Sequence, residues 1–338
     1  MYETQSKRGI RRPAAFLFSL LLCVALVVPA QASSRALIPL GKAVGIKLFS
    51  DGAMVVSVSG LDGTASPAEG CGLREGDLLL ALNHTKVTST EQVQQFLQEN
   101  GVKPVTVTYS RSTRICETVT TPRLCQDGVY RLGAWIRDSI AGIGTLTYYD
   151  PATGRFGALG HGITDVDTHA LMPLSSGAIM ETSIKAVKKG EKGAAGELRG
   201  DFAGQTDVGD LTANTDGGIF GTVTDPAFLA GDDPLPVARA DQVHPGKATI
   251  LSTISGDTPE EYTIEILKVY PQGQPTRNLL LRVTDPRLLA TTGGIVQGQS
   301  GSPILQDGRL VGAVTHVFLN DPTQGYGILM ENMLAMAQ

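Results

Sequence analysis

Aromatic side chains make up only 5% of this 338-residue chain, with a single tryptophan, and beyond the first dozen residues lysines and arginines nowhere gather into a dense cluster. A basic stripe is what tracks a phosphate backbone, so with a net charge of −5 nucleic acid is excluded as a partner. Cysteine occurs four times, and Cys23 falls in the N-terminal apolar run, leaving Cys71, Cys116 and Cys125. An odd number argues against a disulfide framework. Whether Cys116 and Cys125 pair across their short separation is left open by spacing alone. The histidines His84, His161, His169, His244 and His316 form no H-E-x-x-H or C-x-x-C pattern, so no metal site and no organic cofactor is expected. Long helical patterns, internal repeats and low-complexity tracts are also missing.

Glycine is abundant, at 40 of 338 residues, and turn signals recur at Asp150-Pro151, Asp216-Gly217, Asp285-Pro286 and Asp321-Pro322. Short strands joined by tight turns follow from that pattern, and a hydrophobic content of 42% suffices for packed cores. The expected class is mainly β, and the length allows two domains. One long apolar run exists, from Ala14 to Ala30 behind Lys7, Arg8, Arg11 and Arg12, and it ends in an A-x-A-like site at Pro29-Ala30-Gln31-Ala32. This reads as an export signal. Left uncleaved, the run is just long enough to anchor the body in a membrane. Residues 1–32 are therefore a signal peptide or membrane anchor, and the body is expected outside the cytoplasm.

From Lys42 onward, Val44 to Phe49 and Met54 to Val58 read as two strands around a Ser50-Asp51-Gly52 turn. A helix capped by Ser89 and Gln92 follows, closed by Gly101. The run Gly72-Leu73-Arg74-Glu75-Gly76-Asp77-Leu78-Leu79-Leu80-Ala81-Leu82-Asn83 resembles a PDZ domain of the bacterial protease-associated kind. That resemblance implies a PDZ domain over 33–115 with a groove that takes a peptide end as an added strand. The matching residues would be Val44, Gly45 and Ile46.

The strand-rich remainder, 116–338, suits a pair of packed six-stranded barrels. Within it, Gly298-Gln299-Ser300-Gly301-Ser302-Pro303 has the form of a serine-peptidase nucleophile loop. A serine hydroxyl needs a base to take its proton and backbone N–H donors aimed at the oxyanion, and glycines beside Ser300 allow both. Gly298 and Ser300 are the candidate oxyanion donors, in the arrangement of chymotrypsin-like enzymes. His161, in the glycine-broken strand Phe156 to Ile163, is the candidate base. His316 is a second candidate base and Ser302 an alternative hydroxyl.

The stretches Gly142 to Pro151, Gly160-His161, Thr292 to Ile304 and Gly312 to Pro322 together resemble the stage IV sporulation protein B peptidase family, in which an export segment, a PDZ domain and a peptidase follow in this order. The resemblance implies a His–Asp–Ser triad on His161, Asp285 and Ser300. By the residues alone Asp285 is also an ordinary Asp-Pro turn, and Asp165 and Asp167 compete for the third role. Gly162 departs from the apolar residue more usual after the histidine. The family further implies an exported serine endopeptidase of endospore formation, secreted from the forespore into the space between two membranes. There it would cleave the ectodomain of a membrane complex that restrains an intramembrane protease, so releasing a late sigma factor, and it would process itself near its N-terminus. Two other readings stand beside it: a quality-control protease of the cell envelope, and a non-catalytic PDZ scaffold.

Overall fold

The computed structural model describes residues 35–202, 206–229 and 233–337. The expected export segment, and all but Arg35 of the Gln31 to Arg35 stretch where self-processing is expected, lie outside the described residues. Among the described residues no helix is long and apolar enough to cross a membrane.

The body, Ala36–Gln338, is one compact unit. It opens with β1 (Ala36–Pro39) and the 16-residue β2 (Ala43–Val58). The expected turn at Ser50-Asp51-Gly52 is not formed. The two short strands predicted there are one strand, and the extra residues are absorbed as a bulge, Phe49 facing Ser139 while Met54 faces Arg137. After β2 come helix α1 (Pro67–Gly70), β3 (Leu78–Leu82), β4 (Thr85–Lys86), helix α2 (Thr90–Asn100), β5 (Val105–Arg111) and β6 (Arg114–Thr120). Ser89 caps α2 by accepting from the Gln92 N–H at 3.2 Å, and Gln92 reaches back to the Thr88 N–H at 2.8 Å. Val93 and Leu97 on one face of α2 bury against Val55, Leu79, Val105 and Val107.

After the small pair β7 (Arg123–Leu124) and β8 (Tyr130–Arg131), the 17-residue β9 (Ala134–Asp150) runs back along the whole of β2. The next elements are β10 (Arg155–Ala158), β11 (Ser176–Glu181), a hairpin of β12 (Ser183–Lys188) and β13 (Glu197–Asp201), β14 (Asp207–Thr215), β15 (Gly218–Val223) and β16 (Leu235–Pro236). Pairing in the order β2, β9, β10, β15, β14, β11 and back to β2 closes a six-stranded barrel. Leu48, Leu146, Phe156, Ile179 and Ile219 fill it. A second closed barrel has β17 (Gly246–Ser252), β18 (Glu260–Val269), β19 (Leu279–Val283), β22 (Asp321–Leu329), β21 (Arg309–Phe318) and β20 (Pro303–Gln306) in that spatial order. Its core includes Ile250, Ile264, Ile266, Leu281 and Ile304. Helix α3 (Pro286–Thr292) leads out of β19, and helix α4 (Met330–Ala335) ends the fold. This is the double β-barrel of chymotrypsin-like proteins with an α+β PDZ domain.

The order of segments differs from the sequence expectation. Residues 36–49 form barrel strands ahead of the PDZ portion, so the PDZ portion is inserted in the first barrel rather than placed before it. Val44, Gly45 and Ile46 therefore do not form a peptide-binding edge. They pair with Glu181, Met180 and Ile179 of β11 on one side and with Gly144, Ile143 and Gly142 of β9 on the other. A strand hydrogen-bonded along both edges has no donors or acceptors left for a peptide.

Candidate active site

Helix α3 ends at Gly293, and the chain crosses from it to β20 as the loop carrying Ser300. Gly298 and Gly301 take φ values of 96° and 98°, where a side chain would be strained. At Gly301 a Cβ would also lie 2.1 Å from the Thr145 carbonyl oxygen, so only glycine lets the loop press against β9. Ser300 is half-buried, and its hydroxyl donates to the Thr315 carbonyl at 2.8 Å. Among the described residues the N–H groups of Gly298 and Ser300 donate to no protein acceptor. Ser302 is fully buried and donates to the Ser252 hydroxyl at 3.1 Å. No substrate reaches it, which separates the two serines that the sequence alone left as alternatives.

His161 comes into the same region from the first barrel. Behind β10, Leu159 and Gly160 both have φ of 69°, and this double left-handed turn swings His161 off the end of the strand. The Leu159 N–H donates to the Thr145 carbonyl at 3.2 Å, and the Thr145 N–H donates to the Ser300 carbonyl at 3.1 Å. The His161 and Ser300 segments thus meet at the same edge of one residue of β9, where a Cβ on Gly301 would lie 2.6 Å from the Leu159 nitrogen. A Cβ on Gly160 would lie 2.9 Å from Cγ2 of Thr315, whose carbonyl holds the Ser300 hydroxyl.

Nδ1 of His161 is 2.9 Å from the Gly162 carbonyl oxygen. A carbonyl only accepts, so Nδ1 carries the hydrogen and the basic lone pair resides on Nε2. Burial pushes the His161 pKa down, and the bond to Gly162 offsets this only in part. The His316 ring stands 5.3 Å from that of His161, centroid to centroid. Its Nδ1 is buried without a hydrogen-bond partner, and burial, then His161 and Arg277, push its pKa down to about 4.

None of the three carboxylates considered for the third role touches either imidazole. Asp285, expected to orient His161, is instead the N-cap of α3. Its oxygens accept from the N–H groups of Arg287 at 2.8 Å, Leu288 at 3.3 Å and Thr263 at 3.2 Å, and from the Arg287 guanidinium. Burial would raise its pKa, but Arg287 and those N–H donors hold it below the ordinary carboxylate value. Proline at the first helical position after an acidic cap is what the Asp-Pro dipeptide favours locally. Asp165 is fully buried, organises its own turn through the N–H groups of Asp167 and Thr168, and pairs with Arg137. Asp167 binds the same arginine at 3.0 Å. In this arrangement the acceptor on Nδ1 of His161 is the Gly162 backbone.

On β9 the PDZ portion carries an unpaired strand edge, as it also does on the terminal strand β6. The backbone of residues 134–137 pairs as a strand only with β2, and a groove of about 990 Å³ between it and α2 is lined by Val93, Gln94, Leu97, Ala134, Trp135 and Ile136. Trp135 is 67% exposed there. Sequence reasoning missed this edge because Tyr130-Arg131-Leu132-Gly133-Ala134-Trp135 lies beyond 33–115, the span expected to hold the PDZ domain. The signal was a lone glycine, Gly133, at the head of the apolar stretch Ala134-Trp135-Ile136, 18 residues past the expected end of the domain at 115. The three cysteines Cys71, Cys116 and Cys125 are free thiols.

The profile of the SpoIVB peptidase S55 family matches residues 128–334, and a PDZ-domain profile matches residues 63–111. No curated protein matches the chain. Among solved structures, the active form of the Rv3671c protease from M. tuberculosis is 13% identical over 58% of this chain and 73% of its own, with a TM-score of 0.34. Its inactive form is 14% identical over 57% of this chain and 82% of its own, also with a TM-score of 0.34. The PDZ domain of an SdrC-like protein from Listeria monocytogenes is 20% identical, covering 25% of this chain and 87% of its own, with a TM-score of 0.23.

Proposed function

This chain belongs to the SpoIVB peptidase S55 family, and from that premise we propose that it is an exported serine endopeptidase with Ser300 as nucleophile and His161 as base, acting in signalling between compartments during endospore formation. The observation that carries the catalytic part is the convergence of the Ser300 loop and the His161 turn on Thr145, with the lone pair of His161 on Nε2 and two backbone N–H groups beside Ser300 left undonated.

In this reading the Ser300 hydroxyl leaves the Thr315 carbonyl by rotation about its Cα–Cβ bond and turns to His161. As Oγ attacks the scissile carbonyl, Nε2 takes its proton, and the N–H groups of Gly298 and Ser300 receive the oxyanion. The resulting imidazolium keeps its Nδ1 hydrogen on the Gly162 carbonyl. It then gives the Nε2 proton to the leaving amine, and water attacks the acyl-enzyme by the same route in reverse. The chain's own groups supply every proton transfer. The substrate is proposed to be the ectodomain of a membrane complex in the space between forespore and mother cell, with a peptide end taken up along the β9 edge of the PDZ groove and with self-processing ahead of Ala36.

A fluorophosphonate probe tests the assignment. Wild type is expected to be labelled on Ser300 and Ser300→Ala to be unlabelled. Ser302→Ala, which removes a buried hydroxyl pair, is expected to lower the melting temperature and keep the label. Equal loss of label in both serine variants would overturn the choice of nucleophile. Incubation with candidate ectodomains and mapping of product ends tests the substrate.

A further inference from the structure

We propose that Thr145 is a positioning residue for this hydrolysis, holding the peptide units on either side of the Gln299–Ser300 bond and thereby the direction of the Ser300 N–H. The inference rests on the reading of Ser300 as nucleophile.

Thr145 lies on β9 with none of its surface exposed. Its backbone N–H donates to the Ser300 carbonyl at 3.1 Å and its hydroxyl donates to the Gly298 carbonyl at 2.7 Å. Peptide units are planar and trans, so a carbonyl that is held fixes the whole unit to which it belongs. The Gly298 carbonyl belongs to the unit joining residues 298 and 299, and the Ser300 carbonyl to the unit joining 300 and 301. Between them lies the one unit that carries the Ser300 N–H, and it is left with little freedom. Among the described residues no other donor reaches the Gly298 carbonyl. Since Thr145 is buried, water does not compete for that bond.

The same residue sets the base. Its carbonyl accepts the Leu159 N–H at 3.2 Å, at a position where φ of 69° is costly for a branched side chain and where the chain turns toward His161. One residue thus registers the two loops against each other. A strand position between apolar neighbours is served equally well by valine, which has the shape of threonine and the same preference for extended backbone. The hydroxyl is therefore the informative feature of this position.

The test uses the full purified chain and the fluorophosphonate probe, reading the rate of labelling at Ser300 against probe concentration. Thr145→Val is expected to lower the maximal labelling rate on the order of 100-fold, as loss of an oxyanion donor does, with half-saturation nearly unchanged. Thr145→Ser, which keeps the hydroxyl, is expected to stay within several-fold of wild type. Circular dichroism melting is run in parallel. Should Thr145→Val melt below the assay temperature, Thr145→Ala removes the hydroxyl without placing a methyl against the carbonyl and is read the same way. Wild-type labelling rates in the hydroxyl-free variants, or equal losses in Thr145→Ser and Thr145→Val, would overturn the role of the hydroxyl while leaving Ser300 as nucleophile. Absence of label on Ser300 in wild type would overturn the reading of the site, and this proposal with it.

Discussion

A general base works in its neutral form, and burial holds both His161 and His316 below the ordinary histidine value of 6.5. For activity the direction is simple: lowering the pKa of the free base extends the working range toward acid. The labelling rate of Ser300 is expected to stay level as pH falls through the ordinary histidine value and to drop only at lower pH. An acid limb centred above 6.5 would contradict the burial argument. For stability the unfolded chain takes up a proton on His316 below about 6.5, whereas the folded chain does so only below about 4. Between these values the unfolded state binds more protons, so stability falls as pH falls. His316→Gln is expected to flatten the dependence of melting temperature on pH across that window, and an unchanged slope would sink this account.

Helix α3 is the element on which the third-residue question turns. Asp285 caps its start, and its end leads through Gly293 into the loop that carries Ser300. Asparagine is as good a cap as aspartate, but its amide would turn one of its two ends, as a donor, toward donors that Asp285 satisfies. Asp285→Asn is expected to cost about 1–3 kcal/mol of stability, with the folded enzyme keeping kcat within roughly tenfold of wild type. A loss of roughly 10⁴ in kcat at an unchanged melting temperature, the signature of a residue that orients the imidazole, would return Asp285 to His161. The sequence made the Ser300 loop legible because its glycines and its serine are contiguous, and the same holds for the Ser89 cap of α2. Asp285 was not legible, since Asp-Pro spells a helix cap and a family motif equally well. The strand Val44 to Ile46 failed for a related reason: alternation says that a segment is extended, but its neighbours, β9 and β11, lie about 100 residues or more away in the chain, and nothing local says which edge stays open. The carbonyl of Gly162 was invisible in principle, because every residue has one.

At the scale of the whole molecule, the PDZ portion is an insertion carried by two long strands. Phe49 and Ser139 are antiparallel partners at the point where β2 and β9 leave the barrel. A two-residue Asn-Gly turn joining them is expected to leave the ring of six strands closed and Ser300 reactive to the fluorophosphonate probe. The chain begun at residue 116, the boundary read from the sequence, lacks β2, so β9 and β11 would each show an open edge. It is expected to aggregate. Recovery of a soluble, labelled protein from 116–338 would show that β2 is dispensable to the barrel. The continuity of these strands also bears on how the enzyme would age among other proteases. A single cut in the exposed turn at Ser112-Thr113 severs the polypeptide and leaves β2 seated between β9 and β11. The nicked molecule should run as two bands under denaturing conditions and as one peak in native chromatography, a broken chain that still behaves as one enzyme.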